Sequence, residues 1–333
     1  PRSQSLNPPM LSIKDTELEM VQLVLPEHAN VRGTLYGGRM MDWITTAATM
    51  AAMRLAKGAV LLASMDDLDF LHPVSIGDVV TLRARVEFVG TSSMEVGVEV
   101  FAEDPARGDR RLTTASHLAM VAVDERVQPR PVGTTLQPAD GREREIYAEA
   151  QARKQLREAH LTDRREQAAK IMDEVIGGVT NSLEISRIVF PEDAVLGTMM
   201  FAGRLMMLLD EVVSILALRY CRCPIVTASI DALSFYAPIR VGEIVICQAA
   251  LNHVGRTSME VGIKALAEHP LTGARRHTCT AFLTLVHVDK EGPKPVPAFT
   301  PSTSEERRRW DAAERRRKVR LERRARLTPE SAR

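Results

Sequence analysis

Two stretches of this 333-residue sequence, one in each half, join a turn to an apolar helix that carries a few polar side chains. Their letters are PEHANVRGTLYGGRMMDWITT at 26–46 and PEDAVLGTMMFAGRLMMLLDE at 191–211. When the stretches are aligned residue by residue, Asn30 lies opposite Val195 and Thr45 lies opposite Asp210. Each copy lacks the polar side chain that the other keeps. We therefore expect Asn30 and Asp210 to act together in one site.

The residue types in these stretches suit acid–base chemistry. Asp210 falls inside an apolar helix, where burial raises the pKa of a carboxyl towards the range of a useful general base. The alternative interpretation is that Asp210 is a structural carboxylate, buried and satisfied by hydrogen bonds. Asn30 precedes a helix, a position at which asparagine most often serves as a turn or cap residue. Gly37 and Gly38 open the first helix, where unpaired N–H groups favour an anion and glycine admits a close approach.

The elements that must hold these residues can be predicted from hydrophobic periodicity. A helix over 36–57 is apolar nearly all round and must therefore be wrapped by other structure. Alternating and apolar runs separated by turn signals predict strands. These strands are expected at 17–25, 60–65, 67–71, 79–89, 94–102 and 111–123.

The first half is repeated in the second. Residue n matches residue n + 165 without a gap from Pro26 and Pro191 to Asp124 and Asp289, loops included. Two copies of one domain are expected to pack about a pseudo-twofold axis. The predicted divisions are an arm at 1–12, a first domain at 13–132, a linker with a charged, solvated helix at 133–180, a second domain at 181–298 and a basic helix or tail at 299–333.

Composition narrows the class of protein. Hydrophobic content of 45% favours packed cores, and a formal net charge of +1 gives no overall sign of a nucleic-acid partner. The four cysteines all lie in the second half, which favours reduced thiols in a cytoplasmic protein over a disulfide framework, and their spacing does not favour zinc. We predict no membrane span and no signal peptide. The basic C-terminal helix is expected to be solvated or packed on a partner, with an RNA or membrane contact as the alternative.

Several motifs occur twice in register. The opening motif P-x-x-x-N-x-x-G-x-x-Y-G-G runs into the apolar helix. The pair F-x-x-P-V-x-I-G-D and F-x-x-P-I-x-V-G-E follows the helix in the two copies, and the pair VGTSSMEVGVEV and VGRTSMEVGIKA forms the next hairpin. These motifs resemble those of hot-dog acyl-CoA thioesterases. The tandem arrangement is similar to the brain-type acyl-CoA hydrolase branch and to short bacterial acyl-CoA thioesterases. The second copy departs from the opening motif at Val195, Thr198 and Ala202. The resemblance implies an α+β chain of two tandem hot-dog domains, each a bent antiparallel sheet around one helix, packed as a pseudo-dimer.

The resemblance also implies roles for particular residues. Asn30 in the turn, the backbone N–H of Gly37 and the carboxylate of Asp210 from the facing helix match the catalytic positions. The opposite site, with Val195, Ala202 and Thr45 in their place, is expected to be degenerate, leaving one live site per chain. Residues matched or suggested for substrate binding are Gly38, Thr227, Arg256 and Ser258, with a solvated turn as an equal alternative for the last two.

The implied reaction is hydrolysis of an acyl-CoA to a fatty acid and coenzyme A, with Asp210 acting as general base or as nucleophile. Coenzyme A enters only as part of the substrate, and we expect no other cofactor and no metal. A homo-oligomer, specifically a trimer of two-domain chains, is implied as well. The alternatives are an acyl-CoA-binding or regulatory protein with a vestigial site, and a nucleic-acid contact through the C-terminal helix that weakens with salt. Motifs of serine hydrolases, zinc proteases and nucleotide-binding loops do not occur in the sequence.

Overall fold

The computed structural model describes residues 10–173, 178–195 and 197–327. The helices are α1 Gly37–Ala56, α2 Gly141–Asp173, α3 Ala202–Cys221 and α4 Ser304–Leu327. The strands of the first half are β1 Met10–Leu11, β2 Leu18–Leu23, β3 Val60–Met65, β4 Leu68–Asp69, β5 Val79–Val89, β6 Ser93–Asp104, β7 Asp109–Ala122 and β8 Thr135–Leu136. Those of the second half are β9 Ser182–Ile188, β10 Ala194–Val195, β11 Met199–Met200, β12 Ile225–Ile230, β13 Leu233–Ser234, β14 Ile244–Val254, β15 Ser258–Glu268, β16 Arg275–Asp289 and β17 Gly292–Pro293.

Each half is one helix wrapped by one antiparallel sheet. The first sheet runs β13-β3-β7-β6-β5-β2 around α1, and the second runs β4-β12-β16-β15-β14-β9 around α3, with β17 attached to β16. Apolar residues on nearly every side of α1 and α3 are buried, as expected for helices without a solvent face. Both helices end in a left-handed residue at matched positions, Lys57 and Arg222. The chain is thus an α+β protein of two tandem hot-dog domains.

The two halves exchange short strands. Sequence periodicity predicts a strand over 67–71 within the first domain, but the structure has only β4, which pairs with β12 of the second domain. In return β13 of the second domain pairs with β3 of the first. Each sheet is therefore completed by two residues of the other half, and the halves cannot be separated without breaking backbone hydrogen bonds.

Helix α2, predicted as a solvated connection, packs against the first sheet. Its Arg153 donates a hydrogen bond to Glu87, its Arg157 is bonded to the buried Glu95, and its Tyr147 lies 4.9 Å from Phe88, ring centroid to ring centroid. Some of the charged side chains of α2 therefore hold the helix against the first sheet, and do not only interact with solvent.

Helix α4 repeats that arrangement on the second sheet. Its Arg316 and Arg320 donate to Glu260, the residue matched to Glu95, and its Trp310 lies 4.1 Å from the ring of His253. The matched arginines of α2 and α4 differ by 163 positions instead of 165. The repeat therefore includes the two charged helices after a two-residue shift.

Candidate active site

The start of each central helix lies against the body of the other. Gly38 at the start of α1 approaches α3 so closely that a Cβ added to it would lie 3.0 Å from the Cα of Met207. Gly203 at the start of α3 approaches α1 in the same way, with 3.0 Å from an added Cβ to the Cα of Asp42. Glycine allows these two contacts because it has no side chain. The packing brings residues from both domains into one place.

Asp210 is the centre of this junction and is fully buried. The N–H of Gly38 donates to its Oδ2 at 2.7 Å, and the hydroxyl of Thr227 on β12 donates to its Oδ1 at 2.7 Å. Burial raises the pKa of Asp210 to about 6, although hydrogen bonds from Thr227, from the Gly38 amide and from Tyr36 oppose this rise. The carboxyl can therefore give up or accept a proton near neutral pH.

Gly37 separates Asp210 from a cavity. A Cβ on Gly37 would lie 3.1 Å from Asp210 Oδ2 and 3.0 Å from the Cβ of Thr227. Within the described residues, the N–H of Gly37 has no hydrogen-bond acceptor. An unpaired amide at the first position of a helix is suited to an oxyanion.

The cavity has a volume of about 1070 Å³ and is lined by both domains. Five of the residues singled out from the sequence line it, namely Asn30, Gly37, Thr227, Arg256 and Ser258. Gly38 and Asp210 lie directly behind Gly37 instead of on the cavity wall. Glu211, the residue after Asp210, also lines the cavity.

Asn30 organises the turn that borders the cavity. Its Oδ1 accepts a hydrogen bond from the N–H of Arg32 at 2.9 Å, and its Nδ2 donates to the hydroxyl of Thr34 at 2.9 Å. This is the local bonding of an asparagine turn. Arg32 then donates to the carbonyl oxygens of Val288 and Asp289 in the second domain, which ties the turn across the domain boundary.

The pseudo-symmetric position has a different arrangement. Thr45, opposite Asp210, donates its hydroxyl to the carbonyl of Met41 in its own helix. Ala202 replaces Gly37, which lines the cavity in the first copy. The nearby carboxylate of Asp42 lies one helical turn earlier and forms ion pairs with Arg39 and Arg204.

Sequence reasoning missed Tyr36 and Ser214, which also line the cavity. Burial and the nearby charge of Asp210 raise the pKa of Tyr36, while a hydrogen bond with Ser214 opposes that rise. The aromatic position of the opening motif was the available signal for Tyr36. No comparable pattern marks Ser214, because it depends on how α3 rotates towards the cavity.

Across 10–173, 178–195 and 197–327, no helix is long and apolar enough to cross a membrane. In the same ranges, no group of three histidine, cysteine, aspartate or glutamate side chains could hold a metal ion.

Comparison with known proteins gives consistent matches. The chain is 31% identical over 320 residues to mouse acyl-coenzyme A thioesterase 11, covering 92% of this chain but only 53% of that protein. It thus spans about half the length of that relative. It is 39% identical over 138 residues to protein VdlD of Helicobacter pylori, covering 41% of this chain and 79% of VdlD. An acyl-CoA hydrolase structure from Staphylococcus aureus is 32% identical over 50% of this chain and the whole of that chain, with a TM-score of 0.46.

The family model described as the thioesterase superfamily matches twice, at residues 32–108 and 197–274. The two matches fall on the two helix-and-sheet units, and each contains one of the central helices. Together with the identity to VdlD over most of its length, these matches establish that the chain belongs to the thioesterase superfamily.

Proposed function

We propose that this protein hydrolyses acyl-CoA thioesters at one site between its two domains. The observation that carries this proposal is the buried carboxylate of Asp210, held by donors from both domains beside Gly37, whose N–H is unpaired. Membership of the thioesterase superfamily and the names of the relatives support the same reaction. The cavity beside Gly37 has room for a substrate of some size.

Asp210 supplies the proton acceptor. As general base it takes a proton from water, whose oxygen attacks the thioester carbonyl carbon; as nucleophile it attacks that carbon itself, and water releases the acid afterwards. In either route the carbon–sulfur bond breaks and coenzyme A leaves as a thiolate that takes up a proton. A pKa of about 6 keeps Asp210 ionised at pH 7 and still basic enough to act.

Gly37 stabilises the negative charge that develops on the carbonyl oxygen. Its amide is fixed in place at the start of α1, so it needs no rearrangement when the oxyanion forms. Asn30 shapes the adjoining turn, and its side-chain amide borders the same cavity, where it orients water or the thioester. Gly38 and Thr227 act on the substrate indirectly, by holding Asp210, and Arg256 and Ser258 contact the coenzyme A portion.

The testing experiment is thiol release from acyl-CoAs of increasing chain length by the wild type, Asp210→Asn and Thr45→Ala. We expect Asp210→Asn to lower kcat by roughly 100-fold or more, because losing a positioned base typically costs that much. Thr45→Ala is the matched control in the opposite copy and should retain activity. A wild type that binds acyl-CoA without releasing thiol would instead identify a binding protein. Near-normal turnover by Asp210→Asn would refute its assigned role.

We further propose that the protein works as a homo-oligomer, a trimer of two-domain chains, in the cytoplasm. In the described residues, β2 pairs only with β5 and β9 pairs only with β14, so each sheet has a long unpaired edge strand at the end opposite the exchanged two-residue strand. Because the two edges are different surfaces, a contact from β2 of one copy to β9 of the next is heterologous, and such contacts form a closed ring when the rotation between neighbouring copies closes. Four free thiols, Cys221, Cys223, Cys247 and Cys279, suit a reducing compartment.

A further inference from the structure

Three cationic side chains from separate elements line the cavity. Arg256 belongs to the turn between β14 and β15, Lys290 to the turn between β16 and β17, and Arg317 to α4. Within the described part of the chain, the side chains of Arg256 and Lys290 have no hydrogen-bond or ion-pair partner. The nearest carboxylate to Arg317 is Glu314 on its own helix, 3.9 Å away. These charges are therefore not used to hold the fold together.

Most carboxylates on the same wall are already paired. Their partners are Arg323 for Asp69, Arg316 and Arg320 for Glu260, and Lys294 for Asp289. The remaining carboxylate on the cavity wall is Glu211, which lies on α3 next to Asp210 in sequence. The cation cluster thus keeps a net positive charge for a ligand.

Helix α4 is held firmly against both domains. Arg320 donates to Asp231 at 2.7 Å and to Glu260 at 2.6 Å, within the second domain. Arg323 donates to Asp69 of the first domain at 2.6 Å. Arg317, one turn earlier, lies beside the β14–β15 turn, with its Nε 3.9 Å from a Cβ added to Gly255. The anchored helix therefore brings Arg317 next to the turn that carries Arg256.

The opposite copy shows that the fold itself does not require these cations. Thr91 and Glu125 occupy the positions matched to Arg256 and Lys290, and Lys154 of α2 is matched to Arg317. Lys154 lies beside Gly90 as Arg317 lies beside Gly255, but it is paired with Glu158 at 2.6 Å. At matched positions of two equivalent scaffolds, the side of Asp210 therefore carries three cations. The opposite side carries one lysine, Lys154, which is paired, and one carboxylate, Glu125.

We propose that α4 is part of the substrate site and that Arg256, Lys290 and Arg317 together bind the phosphate groups of the coenzyme A portion. This inference rests on the proposed acyl-CoA hydrolysis. It assigns part of the binding energy of the substrate to α4, which lies outside the two segments that the family model matches. Guanidinium groups suit this ligand because their planar donors match phosphate oxygens, and the lysine adds a point charge.

The test compares an acyl-CoA with the same acyl group on pantetheine, which has no phosphate. In Arg317→Ala and in Arg256→Ala, we expect kcat/KM for acyl-CoA to fall about tenfold relative to that for acyl-pantetheine, through KM, since a hydrogen bond to a charged group is worth about that factor. The double variant Arg256→Thr/Lys290→Glu, which copies the opposite side, should lower the ratio further. Lys154→Ala is the matched control and should leave the ratio unchanged.

Equal losses on both substrates, or a ratio that none of the variants changes, would overturn the proposal. Thermal melting of each variant separates a loss of binding from a loss of folding. Calorimetric binding of coenzyme A and of adenosine 3′,5′-bisphosphate tests the same residues without catalysis. If the wild type cleaves no thioester, weaker coenzyme A binding by Arg317→Ala still supports the phosphate site, while unchanged binding removes it.

Discussion

Asp210 illustrates at the scale of one residue how a functional group can oppose stability. A carboxyl with a pKa of about 6 in the folded state, against 3.8 ordinarily, is harder to ionise inside the protein than in the unfolded chain. The folded state therefore holds more protons than the unfolded state between pH 4 and 6. It follows that this group favours folding most at low pH, and that its contribution is lost as pH rises through 6.

We predict that the free energy of unfolding of the wild type, relative to Asp210→Asn, falls by roughly 2 kcal/mol between pH 4 and pH 7. Asparagine does not ionise, so the difference between the two proteins isolates the cost of charging the buried carboxyl. Urea unfolding at both pH values measures it. A difference that stays constant with pH would mean that Asp210 ionises in the folded protein as it does in water.

Thr227 offers a second prediction at the same scale. Its hydroxyl stabilises the ionised form of Asp210, so Thr227→Val should raise the pKa of that carboxyl above about 6. Because only the ionised form accepts a proton, the acidic limb of kcat/KM should move to higher pH, and activity at pH 6 should fall more than activity at pH 8. Thr45→Val, a matched change of a buried hydroxyl in the opposite copy, should leave the profile in place.

The residues at this site were predictable to different degrees. Asp210 could be selected because comparing the two copies shows where a polar group has been gained or lost. Thr227, whose hydroxyl lies 2.7 Å from Asp210, could be selected because it matches a position of the family that the motifs resemble. That Asp210 sits behind Gly37, and not on the cavity wall, could not be foreseen, since it depends on the rotation of α3. Ser214 on α3 was overlooked for the same reason.

At the scale of elements, the close contact between α1 and α3 depends on the glycine at the start of each helix. We predict that Gly38→Ala abolishes most activity and lowers the free energy of unfolding by about 1–3 kcal/mol, the usual cost of overpacking. The added Cβ would lie 3.0 Å from the backbone of Met207 and 3.2 Å from the Cβ of Asp210, so the helices must separate.

Gly141→Ala serves as the control for that change. It lies at the start of another helix, α2, where an added Cβ meets only the end of the Arg144 side chain at 3.9 Å. Denaturant unfolding and thiol release should show this variant close to the wild type. Normal activity in Gly38→Ala would contradict the view that the helix contact positions Asp210.

The elements themselves were largely predictable where the period is clear. The expected helix at 36–57 is found at Gly37–Ala56, and the expected strand at 79–89 is found at Val79–Val89. The correspondence between α2 and α4 was not visible in the sequence. The offset between matched residues of the two copies changes from 165 to 163 before α4, and charged helices have little hydrophobic periodicity. Buried arginine–glutamate contacts, such as Arg157 with Glu95, show the relation only in three dimensions.

At the scale of the whole molecule, the two-residue strands that the domains exchange could not be predicted. Leu68 and Asp69 have the same periodicity whether they pair within their domain or across to Ile230 and Ser229. The pairing is decided by how the two domains meet, which no local pattern encodes. The exchange joins the two sheets that surround α1 and α3, the helices between which Gly38 donates its hydrogen bond to Asp210.

The open sheet edges give the last prediction. Leu23 on β2 is 51% exposed and its matched residue Ile188 on β9 is 50% exposed, so both edges present apolar side chains beside unpaired backbone groups. Such edges are usually covered.

If β2 of one chain meets β9 of the next, Leu23→Lys or Ile188→Lys should each convert the trimer to a monomer, while Leu271→Lys, at an exposed loop position, should not. Light scattering after size-exclusion chromatography measures the mass, and a trimer that survives both lysines would place the interface elsewhere on the surface. Because Asp210 and Gly37 belong to the same chain, the monomeric variants should keep thiol release, which separates assembly from catalysis.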